Sequence, residues 1–412
     1  MRCLSKRLSY FMAASLVLFA VSCNKDEEVS VPENHGTLEG KIYAQNGERY
    51  IPAVKVFVDV EGDVYLTDTD ENGKFKLNVP EGDHLLYMQA GDGKLFFNTT
   101  KVSVKKGESS NVPKSASVLN QQANIAYISG QYDNIESIII DTLGYQADQL
   151  TVQDLSDPSI LEDYAAIFLN CGVEDDIESQ MYDNLEDYVH NGGSLYASDF
   201  AVGYLTGDGS AGNMPIHHHD NEEMFVNHKT CNTPAGGFVP DNMLCTQKQG
   251  SSGQLNSADV VSNDIQNVIG GNTMDINYNL GGWEVIKNLG SEFDILIQDN
   301  SNYGPLAVRS NSTAPWAQGS GSSGGNGNNN NGNGNSNNEF VTICHIPPGN
   351  PNNPQTITIS VNALQAHLDH GCYVGSCEGD GGQVLFTTFH NSPQGNLSQD
   401  TYDILQYFIM NL

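Results

Sequence analysis

Cysteine and histidine gather in two stretches of this chain, and a third stretch carries spaced aspartates. The first stretch holds Cys344-His345, then Ala366-His367-Leu368-Asp369-His370-Gly371-Cys372, then Cys377. His367 and His370 stand three apart, so on a helix they share a face. With Cys344 or His345 they supply the nitrogen and sulfur donors that hold zinc in a tetrahedron. The same residues also read as a minidomain stapled by a Cys344–Cys377 disulfide, with the histidines capping or packing. The second stretch is His217-His218-His219-Asp220, with Glu222, Glu223 and His228 close behind. Adjacent histidines in an extended loop point in different directions. At most two, His217 and His219, can therefore serve one zinc or copper ion. Solvated loop histidines are the alternative. The third stretch, Asp68-x-Asp70-x-Asn72-Gly73, has the first half of a calcium loop. Such a loop needs a bidentate glutamate at its twelfth position, which here is Val79. A hairpin turn between two strands accounts for these residues better.

The start of the chain sets the compartment. Lys6 and Arg7 form a short basic region, and Phe11 to Val21 is an apolar run too short to span a bilayer. It ends in Ala20-Val21-Ser22-Cys23, which resembles the lipobox of bacterial lipoproteins, where the thiol is acylated before cleavage. The following Asn24-Lys25-Asp26-Glu27-Glu28 is similar to the acidic export tag of Bacteroidetes-type surface lipoproteins. The resemblance implies a signal peptide over 1–22, a palmitate-type lipid on Cys23, an acidic tether over 23–35, and display on the outer membrane. In that oxidising compartment six cysteines remain. Cys231 with Cys245 is the best local disulfide and Cys344 with Cys377 the next, which leaves Cys171 and Cys372 outside both.

Across 412 residues, 18 lysines and arginines face 50 aspartates and glutamates, a formal net charge of −32. That balance excludes a broad grip on nucleic acid, which needs basic residues to replace phosphate counterions. Cations, glycans or basic proteins are the partners it favours, and a glycan, a peptide or a neighbouring surface protein is the expected ligand. The length asks for two or three domains.

The elements follow from periodicity. Between 36 and 115, alternating stretches such as Leu38 to Ile42, Val54 to Val58 and Phe75 to Val79 read as half-buried strands of a small all-β sandwich. From Asn124 the period changes. Buried strands at Ile125–Gly130, Ala165–Gly172 and Ser194–Asp199 alternate with helical spacing at Ile135–Leu143 and Ile177–Val189. That alternation argues for a parallel sheet covered on both faces. A polar insertion covers 206–253, and strand patterns return at Trp283, Phe293 and Pro305. A Gly/Asn linker covers 319–339 and the Cys/His cassette 340–377. A last strand, Gly382–His390, and a last helix, Gln399–Leu412, complete the α/β unit of 122–318 and 378–412, with the cassette inserted between the Leu306 and Leu385 strands.

Two family resemblances refine this. Gly40-Lys41-Ile42, Ile51-Pro52-Ala53-Val54-Lys55-Val56, Thr67 to Phe75 and Val79-Pro80-Glu81-Gly82 resemble the carboxypeptidase regulatory-like domain, which implies a spacer or presentation module. The α/β pieces resemble the class I glutamine amidotransferase-like superfamily, including its trehalose-utilisation-type proteins, on Phe168-Leu169-Asn170-Cys171-Gly172, Gly193 to Asp199, and Phe389-His390-Asn391. This implies a three-layer, flavodoxin-like sheet, with Ser198 at the nucleophile elbow, where the family carries cysteine. It implies His390 as the activating base and Cys171 in the oxyanion-side loop. Asn391-Ser392 stands where the family has Pro-Glu. A serine attacks an acyl carbon when a histidine takes its proton, so Ser198 and His390 are a candidate pair for an amide or ester hydrolase, with Asp199 or Asn391 as third member. The expectation that leads is a non-catalytic binding or presentation protein on an enzyme's fold; the alternatives are that hydrolase and a zinc-binding surface protein.

Overall fold

The computed structural model describes residues 34–60, 63–172, 177–207, 231, 236–279, 281–318, 340–345, 355–360, 363, 366–367, 372–374, 381–391 and 397–412. Cys23, His217, His219, His370, Cys377 and the side chain of Cys344 lie outside the described residues. Among those described, no helix is long and apolar enough to cross a membrane.

The N-terminal part is built from β1 (His35–Lys41), β2 (Lys55–Val60), β3 (Asp63–Asp68), β4 (Lys74–Pro80), β5 (Gly82–Gln89), β6 (Phe96–Val104), β7 (Ser109–Asn111) and β8 (Asn120–Gln121). They form a three-stranded sheet, β4-β1-β7, and a five-stranded sheet, β3-β2-β5-β6-β8. Strand alternation places Leu38, Val56, Val58, Leu77, Leu86 and Met88 in the core between them. Because β3 and β4 belong to different sheets, the Asp70 segment crosses between sheets and is not the expected hairpin turn. The Asp70 carboxylate accepts the backbone N–H groups of Asn72 at 2.9 Å and Lys74 at 2.8 Å, and Gly73 turns at φ +67°. This use of Asp70 is a turn cap.

The larger part centres on a nine-stranded sheet in the order β10-β9-β11-β12-β22-β18-β17-β14-β15. Its parallel half is β9 (Ile125–Ile128), β10 (Asp148–Leu150), β11 (Ala166–Leu169), β12 (Ser194–Ser198) and β22 (Val384–Thr387). Within that half the chain order is second, first, third, fourth, fifth. The other half is antiparallel: β14 (Gly253–Val260), β15 (Thr273–Tyr278), β17 (Phe293–Asp299) and β18 (Gly304–Ser310). The sheet is therefore mixed, where the alternating pattern led to a parallel one. A separate pair, β13 (Leu244–Lys248) and β16 (Glu284–Leu289), takes up the Trp283 segment.

Helices cover both faces. Ala166, Phe168 and Tyr196 point to one side, with Ile138 and Ile139 of the π-helical turn Ser137–Thr142 and with Ile404, Leu405 and Phe408 of the helix Gln399–Met410. Ile167, Leu169, Leu195 and Ala197 point to the other, against Met181, Leu185 and Val189 of the helix Ser179–His190. The first of these cores runs on into the sandwich. Arg49 pairs with Asp403, donates to Gln406 at 2.7 Å and lies 4.9 Å from the Tyr402 ring, while Phe96 meets Tyr145 at 4.4 Å. The sandwich is thus packed onto the α/β part.

The cassette forms a third antiparallel sheet, β20-β19-β21, from β19 (Phe340–His345), β20 (Gln355–Ser360) and β21 (Tyr373–Val374). Phe57 and Tyr87 stand on the face of the five-stranded sheet turned away from the sandwich core, stacked at 4.9 Å. Ile343 and Cys372 bury them, with Ile357 and Ile359 beside Val64, Leu66 and Phe97. Two large aromatic side chains on an outward face would waste several kcal/mol of burial uncovered, and the cassette is their cover.

Candidate functional site

The four parallel strands β9, β11, β12 and β22 deliver chemistry just past their carboxyl ends, where open α/β sheets place their sites. Asp133 follows β9, Cys171 follows β11, Asp199 follows β12 and His390 follows β22. After the fully buried strand Ser194–Ser198, the chain turns sharply into the 3₁₀ turn Asp199–Val202. The strained residue of that strand-to-helix turn is Asp199, at φ +46°. Aspartate is among the few types that tolerate such a φ. The conformation is held by the Glu284 N–H, which donates to Asp199 Oδ1 at 2.7 Å.

Ser198, expected at the turn, ends the strand, and the residue with the positive φ is Asp199. The Ser198 hydroxyl donates to Asp133 Oδ2 at 2.5 Å. Among the described residues it makes no hydrogen bond to His390. His390 Nε2 instead lies 3.8 Å from Asp199 Oδ2, and Cys171 Sγ lies 3.8 Å from the same oxygen. Asn391 is spent elsewhere: its N–H donates to Asp133 Oδ1 at 3.0 Å, and its amide reaches Asn134 and Ser137. Cys171 is a buried thiol outside any disulfide.

None of Asp133, Cys171, Ser198, Asp199 and His390 is more than 9 % exposed, and that decides their charge. Burial pushes Asp133 up to about 7, against the opposing hydrogen bonds from Ser198, Asn134 and Asn391. It raises Asp199 and Cys171 well above their ordinary ranges. It lowers His390 to about 4, and among the described residues His390 Nδ1 has no hydrogen-bond partner. The His390–Asp199 contact is therefore not an ion pair at neutral pH. A general base should sit near the working pH; one at about 4 is roughly a thousandfold too weak for pH 7. Carboxylates do act as nucleophiles, but burial favours the neutral form of Asp199. Asp133, the partner of Ser198, carries no sequence motif; its only signal is its place after a parallel strand.

A second group forms in the cassette. His345 Nδ1 lies 3.3 Å from Cys372 Sγ and 3.1 Å from His367 Nδ1, and Cys372 Sγ lies 3.8 Å from His367 Nδ1. The sequence nominated His345 and His367 as donors and passed over Cys372, which the β19–β21 pairing of Cys344 with Tyr373 brings across. Cys231 and Cys245 form a disulfide, Cα–Cα 5.8 Å, across the polar insertion.

The sandwich bears a groove of about 570 Å³ lined by Lys41, Lys74, Lys76, Lys114, Tyr43 and Phe75, among others. Lys41 and Lys74 are direct cross-strand partners, a like-charge placement that costs stability. Two of the lysines lean on rings: Lys41 on Tyr50 and Lys114 on Tyr43, each at 4.9 Å.

No family model matches the chain, and no curated protein matches it. Among solved structures, a ThuA-like protein from Bacteroides uniformis is similar at 10% identity, with a TM-score of 0.29, covering 45% of this chain and 76% of that one.

Proposed function

We propose that this chain is a lipid-anchored extracytoplasmic binding protein that has the frame of an amidotransferase-like enzyme without its chemistry. One observation carries the reading: the strained turn residue is a buried Asp199, whose carboxyl burial pushes well above its ordinary range, and the neighbouring Ser198 hydroxyl is committed to Asp133. The second-first-third-fourth-fifth order of the parallel strands supports a flavodoxin-like frame. The basic, apolar and Ala20-Val21-Ser22-Cys23 segments support the anchor and surface display. Replacing Cys23→Ser then abolishes palmitate incorporation and membrane retention; retention without the thiol removes the anchor from the account.

The lysine groove is where this acidic chain meets a ligand. In a chain of net charge −32, the groove's four lysines outnumber its two acids, Glu39 and Asp70, and Asp70 is spent on backbone N–H groups. That excess favours an anionic partner, and a carboxylated glycan matches the charge and the aromatic lining. Detergent-solubilised full-length protein is expected to be retained by polygalacturonate and not by neutral dextran, with retention falling as salt screens the contacts. Lys74→Glu with Lys76→Glu should abolish it. Equal retention on both polymers, or retention indifferent to the double reversal, sinks the assignment.

A further inference from the structure

His345, His367 and Cys372 come from three separate pieces of the cassette: the end of β19, the helical turn at 366–367, and the residue before β21. Their donor atoms nevertheless meet at one point, all within 4.8 Å of one another. The edges of the triangle are 3.1, 3.3 and 3.8 Å. A zinc ion with Zn–N near 2.0–2.1 Å and Zn–S near 2.3 Å separates tetrahedral ligands by about 3.3–3.6 Å. The triangle brackets that spacing on all sides. The two imidazoles stand at 85° with centroids 4.9 Å apart, so their Nδ1 atoms converge while the rings stay clear of each other. The Cys372 N–H donates to the His367 carbonyl at 3.1 Å and fixes the thiol beside that imidazole.

The surroundings favour a metal further. Cys372 is buried with Ile343 on the Phe57–Tyr87 shelf, so one side of the triangle is apolar and dry. Such a shell strengthens the attraction of an ion to its ligands. The elbow cluster makes the contrast: its sulfur and nitrogen each lie 3.8 Å from Asp199, a looser set.

The geometry points to His345, His367 and Cys372 as a zinc-binding site that clamps the cassette against the sandwich. Two imidazoles and a thiolate suit this borderline-soft ion, and a fourth vertex remains for water or a further donor. Binding zinc requires the Cys372 thiol to release its proton. The site is independent of the elbow and of the lysine groove. By fastening β19, the helical turn and β21 together, the ion would hold Ile343 and Cys372 over Phe57 and Tyr87.

The test uses full-length protein stripped by chelator, kept reduced and titrated with Co²⁺. The expected result is about one equivalent bound, with intense tetrahedral visible bands and a near-ultraviolet thiolate charge-transfer band, all displaced by Zn²⁺. Cys372→Ser should abolish the near-ultraviolet band, and His345→Asn should weaken Co²⁺ binding at least tenfold. His217→Ala with His219→Ala should leave both unchanged. If Cys372→Ser fails to fold, X-ray absorption at the zinc edge of the wild type decides, with one sulfur and two imidazoles expected. Weak octahedral spectra, a thiolate band that survives Cys372→Ser, or a zinc shell without sulfur overturns the site.

Discussion

Beneath the elbow, Cys171, Asp199 and His390 lie within 4.8 Å of one another; in the cassette, His345, His367 and Cys372 do the same. Residue type does not separate them, since each has a thiol and an imidazole. What differs is how they are built. The elbow groups sit buried past the ends of parallel strands, and burial pushes each toward its uncharged form. Glu284 shares this environment and is itself raised to about 6. The cassette donors lie on short pieces of chain, with His345 and His367 half-buried, and they face one another at ligand spacing. What a cluster can hold depends on its environment: burial at the elbow favours uncharged groups, and the spacing in the cassette suits the proposed metal.

The largest effect comes from undercutting the cassette. Phe57→Ala should cost about 3–5 kcal/mol in urea unfolding by removing the shelf beneath Ile343 and Cys372. It should also weaken Co²⁺ binding about tenfold while leaving His390 unaffected. Unchanged metal affinity in this variant would separate the cassette from its floor.

The pH dependence probes the elbow. A histidine at about 4 when folded and 6.5 when unfolded contributes stability that is complete above pH 6.5 and is lost as pH falls toward 4. Relative to wild type, His390→Asn should therefore gain about 3 kcal/mol between pH 6.5 and 4. Asp133 works in the opposite sense: its carboxyl, near 7 when folded and 3.8 otherwise, loses stability as pH rises across that range. Asp133→Asn should remove that loss, so stability curves of the two variants should diverge from wild type with opposite slopes. Parallel curves would mean that these groups are solvated.

Asp199→Val should cost about 2–3 kcal/mol, because a β-branched residue resists φ +46° and the Glu284 N–H loses its acceptor. Asp199→Asn, which keeps both features, should cost less than about 1 kcal/mol, measured by chemical denaturation. The smallest effect is at the groove: Lys74→Glu with Lys76→Glu should change stability by no more than about 0.5 kcal/mol, since both side chains are exposed.

Much of this frame is legible in the sequence. Alternation marks β1, β2 and β4, and short apolar runs mark β9, β11, β12 and β22, because burial on one or both faces writes itself into residue type. The antiparallel wing is harder to see. In β14, Gly253 to Val260 reads GQLNSADV, a mostly polar strand with a bulge between Leu255 and Ala258, so its pattern is broken. At the site, the sequence brings out the segment around Ser198 but not which residue takes the positive φ, a property of the strand-to-helix turn. Asp133 and Cys372 escape for a related reason: strand pairing across long separations brings Asp133 to Ser198 and Cys372 to His345.

The most direct test of the central claim is labelling of the folded full-length protein with a fluorophosphonate, followed by peptide mapping of Ser198. The account predicts no adduct at Ser198, because the hydroxyl is buried on Asp133 and His390 is too weak a base to activate it. A stoichiometric Ser198 adduct that disappears in His390→Ala would contradict it and make the elbow a working hydrolase.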